Sequence, residues 1–283
     1  VSIDSNVINS SNDLQGKIVA VSGFLTTKDK IGDELYLKKG DFIGLNRDVE
    51  MYAWVEKTKS STTTNTGGSE TTQTEYSYIK EWTNFPESGS NFRYPEGHQN
   101  PEKKLDNLFL KTEKAMIGVY SIDPNQISLR GFEDVLLDKN NTLLTEDTEI
   151  RDNYVYKKFN EDSSYENPTV GDIRISYESV NSGISGTVFG ALQGDSITPY
   201  TGKKDTVLYD FTTGDKDAGL ATMHREYITM LWLLRFLGFI MMFIGLSMIL
   251  GPISVLLDFL PILGGFSRFL VGLISFVISL VLS

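Results

Sequence analysis

From Met230 to Leu250 the chain reads MLWLLRFLGFIMMFIGLSMIL, 21 residues with Arg235 as the one charge. At about 1.5 Å rise per residue such a helix covers about 31 Å, enough to cross a hydrocarbon core of about 30 Å. The run is apolar on every face, whereas a helix lying on a globular core needs only an apolar stripe. It therefore predicts a membrane span over residues 230–250, and the rest of the chain has to be read around it. Arg235 sits near one end, where its long side chain reaches the interface. Tyr227 and Trp232 suit the same headgroup zone.

Beyond the run, GPISVLLDFLPILGGFSR carries Gly251-Pro252, Pro261 and Gly264-Gly265. These predict a broken helix and an interfacial segment over residues 251–268, with Asp258 on its wet side and Arg268 at its end. A second apolar run from Phe269 is too short to span alone and predicts a truncated second span. Gly272, Ser275 and Ser279 share one face of it and suit close approach of another helix in lipid, although small residues fall there by chance about as readily. Arg235 and Arg268 flank the first span on opposite sides, so charge leaves orientation open. The chain starts at Val1 without a methionine and stops at Ser283 inside an apolar run, which reads as an internal fragment of a longer protein.

Residues 1–224 are of another kind. They hold 23 of the 26 Lys and Arg and 35 of the 37 Asp and Glu, a net charge of −12; the tail keeps only Arg225, Glu226, Arg235, Asp258 and Arg268. Such an acidic head excludes a nucleic-acid partner, which needs clustered cations to displace counterions. It also disfavours adhesion of the head to anionic lipid. The absence of cysteine removes disulfides and thiolate chemistry and leaves the redox compartment open. Period-two patterns predict a mostly β head. In DIRISYESV, Ile173, Ile175 and Tyr177 alternate with Arg174, Ser176 and Glu178, and Asn181-Ser182-Gly183 supplies a turn into GTVFGAL. In VEMYAWVE both alternating sets are large, so both faces of that strand should be partly covered. EYSYIKEW has similar character. Between these two strands, KTKSSTTTNTGGSETTQT predicts a flexible hairpin tip. DNLFLKTEKAMIGVY is the best helix candidate in the head, and the echo of KGDFIG in QGDSIT hints at a duplicated β unit.

No motif carries chemistry. His98 and His224 are far apart and no thiol is available, so no zinc site is expected. DKNNTLLTEDTE resembles a calcium loop, but Leu143 stands where the sharp turn needs Gly. TGKKDT lacks the upstream glycine of a phosphate loop, and GISGT lacks the spacing of a nucleophile elbow. Neither cofactor, metal nor catalytic residue is expected. The segment KEWTNFPESGSNFRYPEGHQNP is the candidate interaction loop, with Phe85, Phe92 and Tyr94 packing inward over a sheet edge and His98 fixing a turn.

Several of these segments together resemble the transmembrane protein 43 (LUMA) family: RDVEMYAWVE, YSYIKEW, GHQNP, VGDIRISY, the His224–Glu226 triplet leading into the first span, FIGLSMIL and DFLPILGG. The resemblance implies a multi-pass membrane protein with a large non-cytoplasmic domain ahead of a C-terminal cluster of spans. In eukaryotes it implies the endoplasmic reticulum and inner nuclear membrane, with lamins and emerin as associates. A chain without cysteine suits a bacterial member, which implies the cell membrane. The family supplies no catalytic residues.

The expectation is thus a β-rich (α+β) extramembrane domain, residues 1–224, followed by a membrane region of transmembrane α-helices, residues 225–283. Its partners would be the bilayer, other membrane proteins and further copies of itself, and its role that of a non-enzymatic, membrane-organising scaffold. The competing expectation is a subunit of an ion-conducting assembly, with Arg235, Asp258 and Arg268 on the pathway.

Overall fold

The computed structural model describes residues 1–9, 11–65, 69–257 and 264–282. The chain divides into two compact units, Val1–Lys57 with Ser77–Ala221, and Thr58–Tyr76 with Thr222–Ser283. In chain order the strands are β1 (Ser2–Asp4), β2 (Ile18–Thr26), β3 (Phe42–Thr64), β4 (Glu70–Thr83), β5 (Leu108–Lys111), β6 (Ala115–Ile117) and β7 (Tyr120–Ile122). They continue with β8 (Ser128–Leu129), β9 (Glu133–Asp134), β10 (Thr148–Arg151), β11 (Tyr154–Lys157), β12 (Ile173–Asn181) and β13 (Ile184–Gln193). The last are β14 (Ser196–Thr198), β15 (Tyr200–Thr201), β16 (Val207–Leu208) and β17 (Asp210–Thr213), before helices α1 (Lys216–Leu257) and α2 (Gly264–Leu282). A β-rich domain followed by C-terminal helices is the predicted class.

The first sheet runs β1-β2-β6-β7-β14-β13-β17-β8, and β2 also pairs with β13, so the path β2–β6–β7–β14–β13 closes on itself. Closure removes sheet edges and leaves an interior to be filled by side chains. Val19, Val21, Leu25, Ile117, Tyr120, Val188 and Leu192 from these strands form one buried cluster. The second sheet runs β10-β11-β12-β3-β4, with β5 also on β3 and β9 on β12. Leu45, Val49, Val155, Ile175 and Tyr177 are its core, packed with Leu37, Val135 and Leu137. On β3, Val49, Met51 and Ala53 are buried while Glu50, Tyr52 and Trp54 are half-covered, as the large residues on both faces predict.

A buried ionic cluster pins this core. The Asp33 carboxylate, with a side chain 0% exposed, pairs with Arg47 Nη1 at 3.2 Å. It also accepts from the backbone N–H groups of Leu35, Tyr36 and Leu37 at 2.8–2.9 Å, and from the Tyr177 hydroxyl. Burial pushes the Asp33 carboxyl up, but the Tyr177 hydroxyl and the three backbone donors outweigh it, and the pKa falls below its ordinary value of 3.8. Burial and the same carboxylate push the Tyr177 hydroxyl up.

Five expectations are corrected. DNLFLKTEKAMIGVY is three short strands, β5 to β7, rather than a helix: Ala115 and Ile117 are buried and Met116 between them is exposed, a period of two that outweighs its helix-forming composition. The turn at Asn181–Gly183 does not make a hairpin. It follows a register shift at Val180/Asn181 and carries the chain from the second sheet into the first, where β13 pairs with β2. The Ser/Thr-rich stretch is an extended ribbon through Thr64 and from Glu70 rather than loose along its length, and residues 66–68 at its tip lie outside the described residues. Its threonines favour strands, and hydroxyls pair across it at Ser60–Thr74 (3.1 Å) and Thr62–Thr72 (3.0 Å). The echoed Gly-Asp turns lead into β3 of the second sheet and β14 of the first, so they mark no repeated unit.

The fifth concerns the helices. Asp215 Oδ1 accepts from Ala218 N at 2.9 Å, an N-cap that starts α1 well upstream of the apolar run. The helix then continues through Gly251 and Pro252 to Leu257, 42 residues in all. Pro252 removes one N–H from the ladder, and a long helix tolerates that loss without ending. Residues 216–252 are long and apolar enough to cross a membrane. The second helix, α2, begins at Gly264, so the glycine pair stands in its first turn. Asp258, with the rest of residues 258–263, lies outside the described residues.

Candidate interaction surface

Residues 84–107 join β4 to β5, and their side chains do for β3 what a neighbouring strand would do. Asn100 accepts from Trp54 N at 2.8 Å and donates to Trp54 O at 2.9 Å. Asn107 accepts from Val49 N at 3.0 Å, and Lys103 Nζ donates to Val49 O at 2.8 Å. A side-chain amide has the same donor and acceptor as a peptide unit, so it satisfies strand groups that would otherwise be left unpaired. Lys103 also donates to Asn84 O, and Asn84 to Asp48, which returns the start of the loop to the same strand.

A second set of contacts holds the middle of the loop. Tyr78 donates its hydroxyl to Glu56 Oε2 at 2.7 Å and accepts from Tyr94 N at 2.9 Å. The same carboxylate accepts from Arg93 N at 2.6 Å. Burial and the Glu56 carboxylate raise the Tyr78 pKa above its ordinary value. His98 stacks on the Tyr78 ring at 3.9 Å and meets Trp54 edge-on at 4.8 Å. Its Nδ1 lies 3.0 Å from the Tyr94 carbonyl oxygen, which can only accept, so Nδ1 carries the proton. His98 thus fixes the turn, as its flanking residues predict. Gly89 is needed for close approach: a Cβ there would come within 2.5 Å of His98 O.

The predicted ring packing is one-third right in the structure. Phe92 is buried at 5% exposure against Tyr78. Phe85 and Tyr94 point outward instead, at 85% and 58% exposure. Here Glu56, Tyr78 and Asn100 hold the loop backbone at Arg93, Tyr94 and Glu87 by hydrogen bonds. Tyr78, Lys103 and Asn107 carry no local signal in the sequence; Asn100 has one, the turn-forming Asn100-Pro101 dipeptide beside His98.

On α1, Tyr227 and Trp232 are 61% and 63% exposed, and the Arg235 guanidinium lies 5.3 Å from the Trp232 ring centre. A cation on an indole face is a stable pairing at an interface. Arg268 is placed by its backbone in the first turns of α2. On α2, Ser275 and Ser279 are fully buried and Gly272 is half-buried, while Phe276 packs edge-on to Phe239 and Phe243 of α1 at 5.4 and 6.4 Å. The buried hydroxyls of Ser247, Ser275 and Ser279 have no hydrogen-bond partner among the described residues. Among the described residues no three His, Cys, Asp or Glu side chains converge on a metal position.

Comparison with known proteins places this architecture. A family model for transmembrane protein 43 matches residues 51–283. Human transmembrane protein 43 is 29% identical over 248 residues, covering 81% of this chain and 59% of the human protein. The rat protein of that name is 29% identical over 221 residues, 72% of this chain and 52% of its own length. A transmembrane protein 43 homolog of Drosophila melanogaster is 25% identical over 238 residues, 81% of this chain and 61% of its own length. The chain thus spans between half and two thirds of these relatives. No solved structure matches it.

Proposed function

This chain belongs to the transmembrane protein 43 family and is a membrane protein, and from that premise we propose that it is a non-enzymatic scaffold whose head presents a protein-interaction surface. Residues 1–224 stand in water on the extracytoplasmic or luminal side, and residues 225–283 hold them at the bilayer. The observation that carries the reading is exposure combined with order. Phe85 and Tyr94 are open to solvent at 85% and 58%, while Glu56, Tyr78 and His98 hold the backbone at Arg93 and Tyr94, and Thr83 and Lys103 hold it at Phe85 and Asn84. A preorganised, exposed aromatic loses little entropy on contact, which is what an interface anchor requires. The acidic head around it, with a net charge of −12, favours partners that present basic surfaces.

The test is photocrosslinking of the full-length protein in its own membrane from residues introduced at positions 85 and 94, with position 136 as control. Leu136 is 79% exposed and lies outside the loop. The expected result is protein adducts from 85 and 94 at several times the yield from 136. Equal yields from all three positions refute the reading.

A further inference from the structure

A cleft of about 240 Å³ opens between the segments Glu102–Leu105 and Lys157–Phe159. Its floor is carbon: Met51 of β3, 1% exposed, with Ile173 of β12 and Leu105 beside it. Phe159 forms a wall, its ring laid on Gly171. The Gly171 φ of +107°, and the 2.7 Å that would separate a Cβ from Phe159 Cγ, leave no room for another residue there. The lining is cationic, with Lys103, Lys104, Lys157 and Lys158, and Glu102 as its one carboxylate. Four ammonium groups thus gather at one opening of an otherwise acidic head.

The four do not play one part. Lys103 is spent on the carbonyls of Val49 and Asn84, both at 2.8 Å. Lys157 pairs with Asp147 at 3.0 Å and donates to the Tyr36 hydroxyl at 3.3 Å. The side chains of Lys104 and Lys158 have no ion pair or hydrogen bond among the described residues. Two lysines therefore brace the cleft, and two line it without such a bond. Like charges crowded beside a carbon floor repel unless an anion sits between them, and the floor at the same time offers apolar area to be covered.

We propose that this cleft binds the carboxylate end of a single-chain fatty acid, with the acyl chain on Met51, Leu105, Phe159 and Ile173 and the carboxylate between Lys104 and Lys158. At about 30 Å³ per water-sized group, 240 Å³ holds about eight groups, a carboxylate and roughly six carbons. That is below the range for nucleotide- or drug-sized ligands, about 300–1,000 Å³. A membrane protein meets such amphiphiles at its own bilayer. The cleft shares residues 102–105 with the loop but includes neither Phe85 nor Tyr94, and it stands whether or not those rings bind protein.

The probe is octanoate, measured by equilibrium dialysis against the full chain held in amphipol. One saturable site is expected, weakening as salt is raised. The K104E/K158E variant should bind about tenfold more weakly, and F159A should weaken binding with an unchanged melting temperature, since Phe159 is already 52% exposed. The proposal is overturned by absence of saturable binding, by octanol binding as well as octanoate, by acetate competing at equal concentration, or by a folded K104E/K158E variant that binds like the parent. Tighter binding of an acetylated Glu-Phe-Glu peptide than of octanoate also overturns it, and assigns the cleft to acidic peptides.

Discussion

Replacing Asp33 with Ala should be the most damaging single polar substitution in the β core. The carboxylate, with no exposed surface, neutralises Arg47, whose side chain is 8% exposed. It also satisfies three backbone N–H groups and the Tyr177 hydroxyl. Leaving one partner of a buried ion pair uncompensated costs about 3–5 kcal/mol, and at about 2–4 °C per kcal/mol for a domain of this size the melting temperature should fall by about 6–20 °C. Arg47→Leu should cost less. Asp33 would keep four donors, and Arg47 already carries an unpartnered Nε. The double variant Asp33→Ala/Arg47→Leu should be far less destabilised than the sum of the two. pH supplies an independent axis. Because the folded pKa of Asp33 is depressed, its stabilisation is full above the unfolded value of about 4 and is lost as pH falls through the lower folded value. The gap between parent and Asp33→Asn should therefore be constant from about pH 5 to 8 and close in stronger acid. Thermal melts of the full chain in detergent, followed by Trp fluorescence and circular dichroism, read all of these. A loss under about 1 kcal/mol for Asp33→Ala, or additivity with Arg47→Leu, refutes the argument.

Five further substitutions test the loop and the helices. Asn100→Ala strips both partners from the Trp54 backbone; it should cost about 1–3 kcal/mol and speed hydrogen exchange at Trp54. Gly89→Ala drives a methyl to within 2.5 Å of His98 O; a melt should show about 1–3 kcal/mol lost, and crosslinking from position 94 should fall with it. Ser275→Ala and Ser279→Ala remove hydroxyls that have no partner among the described residues; detergent melts should move by less than about 0.5 kcal/mol or rise, whereas Ser279→Leu should lose about 1–3 kcal/mol by overpacking.

What was legible in the sequence followed periodicity. The alternation in DIRISYESV placed Ile175 and Tyr177 in the core, at 0% and 1% exposure, and the uniform apolarity of residues 230–250 marked the helix. Boundaries were less legible. The start of α1 is set by the Asp215 cap and its passage through Pro252 by the cooperativity of a long helix, so neither follows from local hydrophobicity. Pairing was least legible. The residues of β12 and β13 look like a hairpin, but the partners of each strand, Met51 to Phe42 for one and Leu25 to Ile18 for the other, lie far away in the chain. The same holds for the loop. Whether Tyr94 packs inward depends on how the backbone is held, and that is set in part by Glu56 and Tyr78 on two other strands.

Lys103 ties the two proposed surfaces together. Its ammonium, bonded to Val49 O and Asn84 O, anchors the loop on β3, and its stem lines the lysine-rimmed cleft. Burial lowers its pKa below the ordinary value of 10.5, while Asp106, Asp48 and Glu50 oppose that fall. A charge held in this way serves the frame rather than a ligand, because moving it would orphan a strand carbonyl. The cleft therefore depends on Lys103 for its shape and on Lys104 and Lys158 for its selectivity. Substitutions at the first should disturb loop and cleft together; substitutions at the other two should leave the loop as it is.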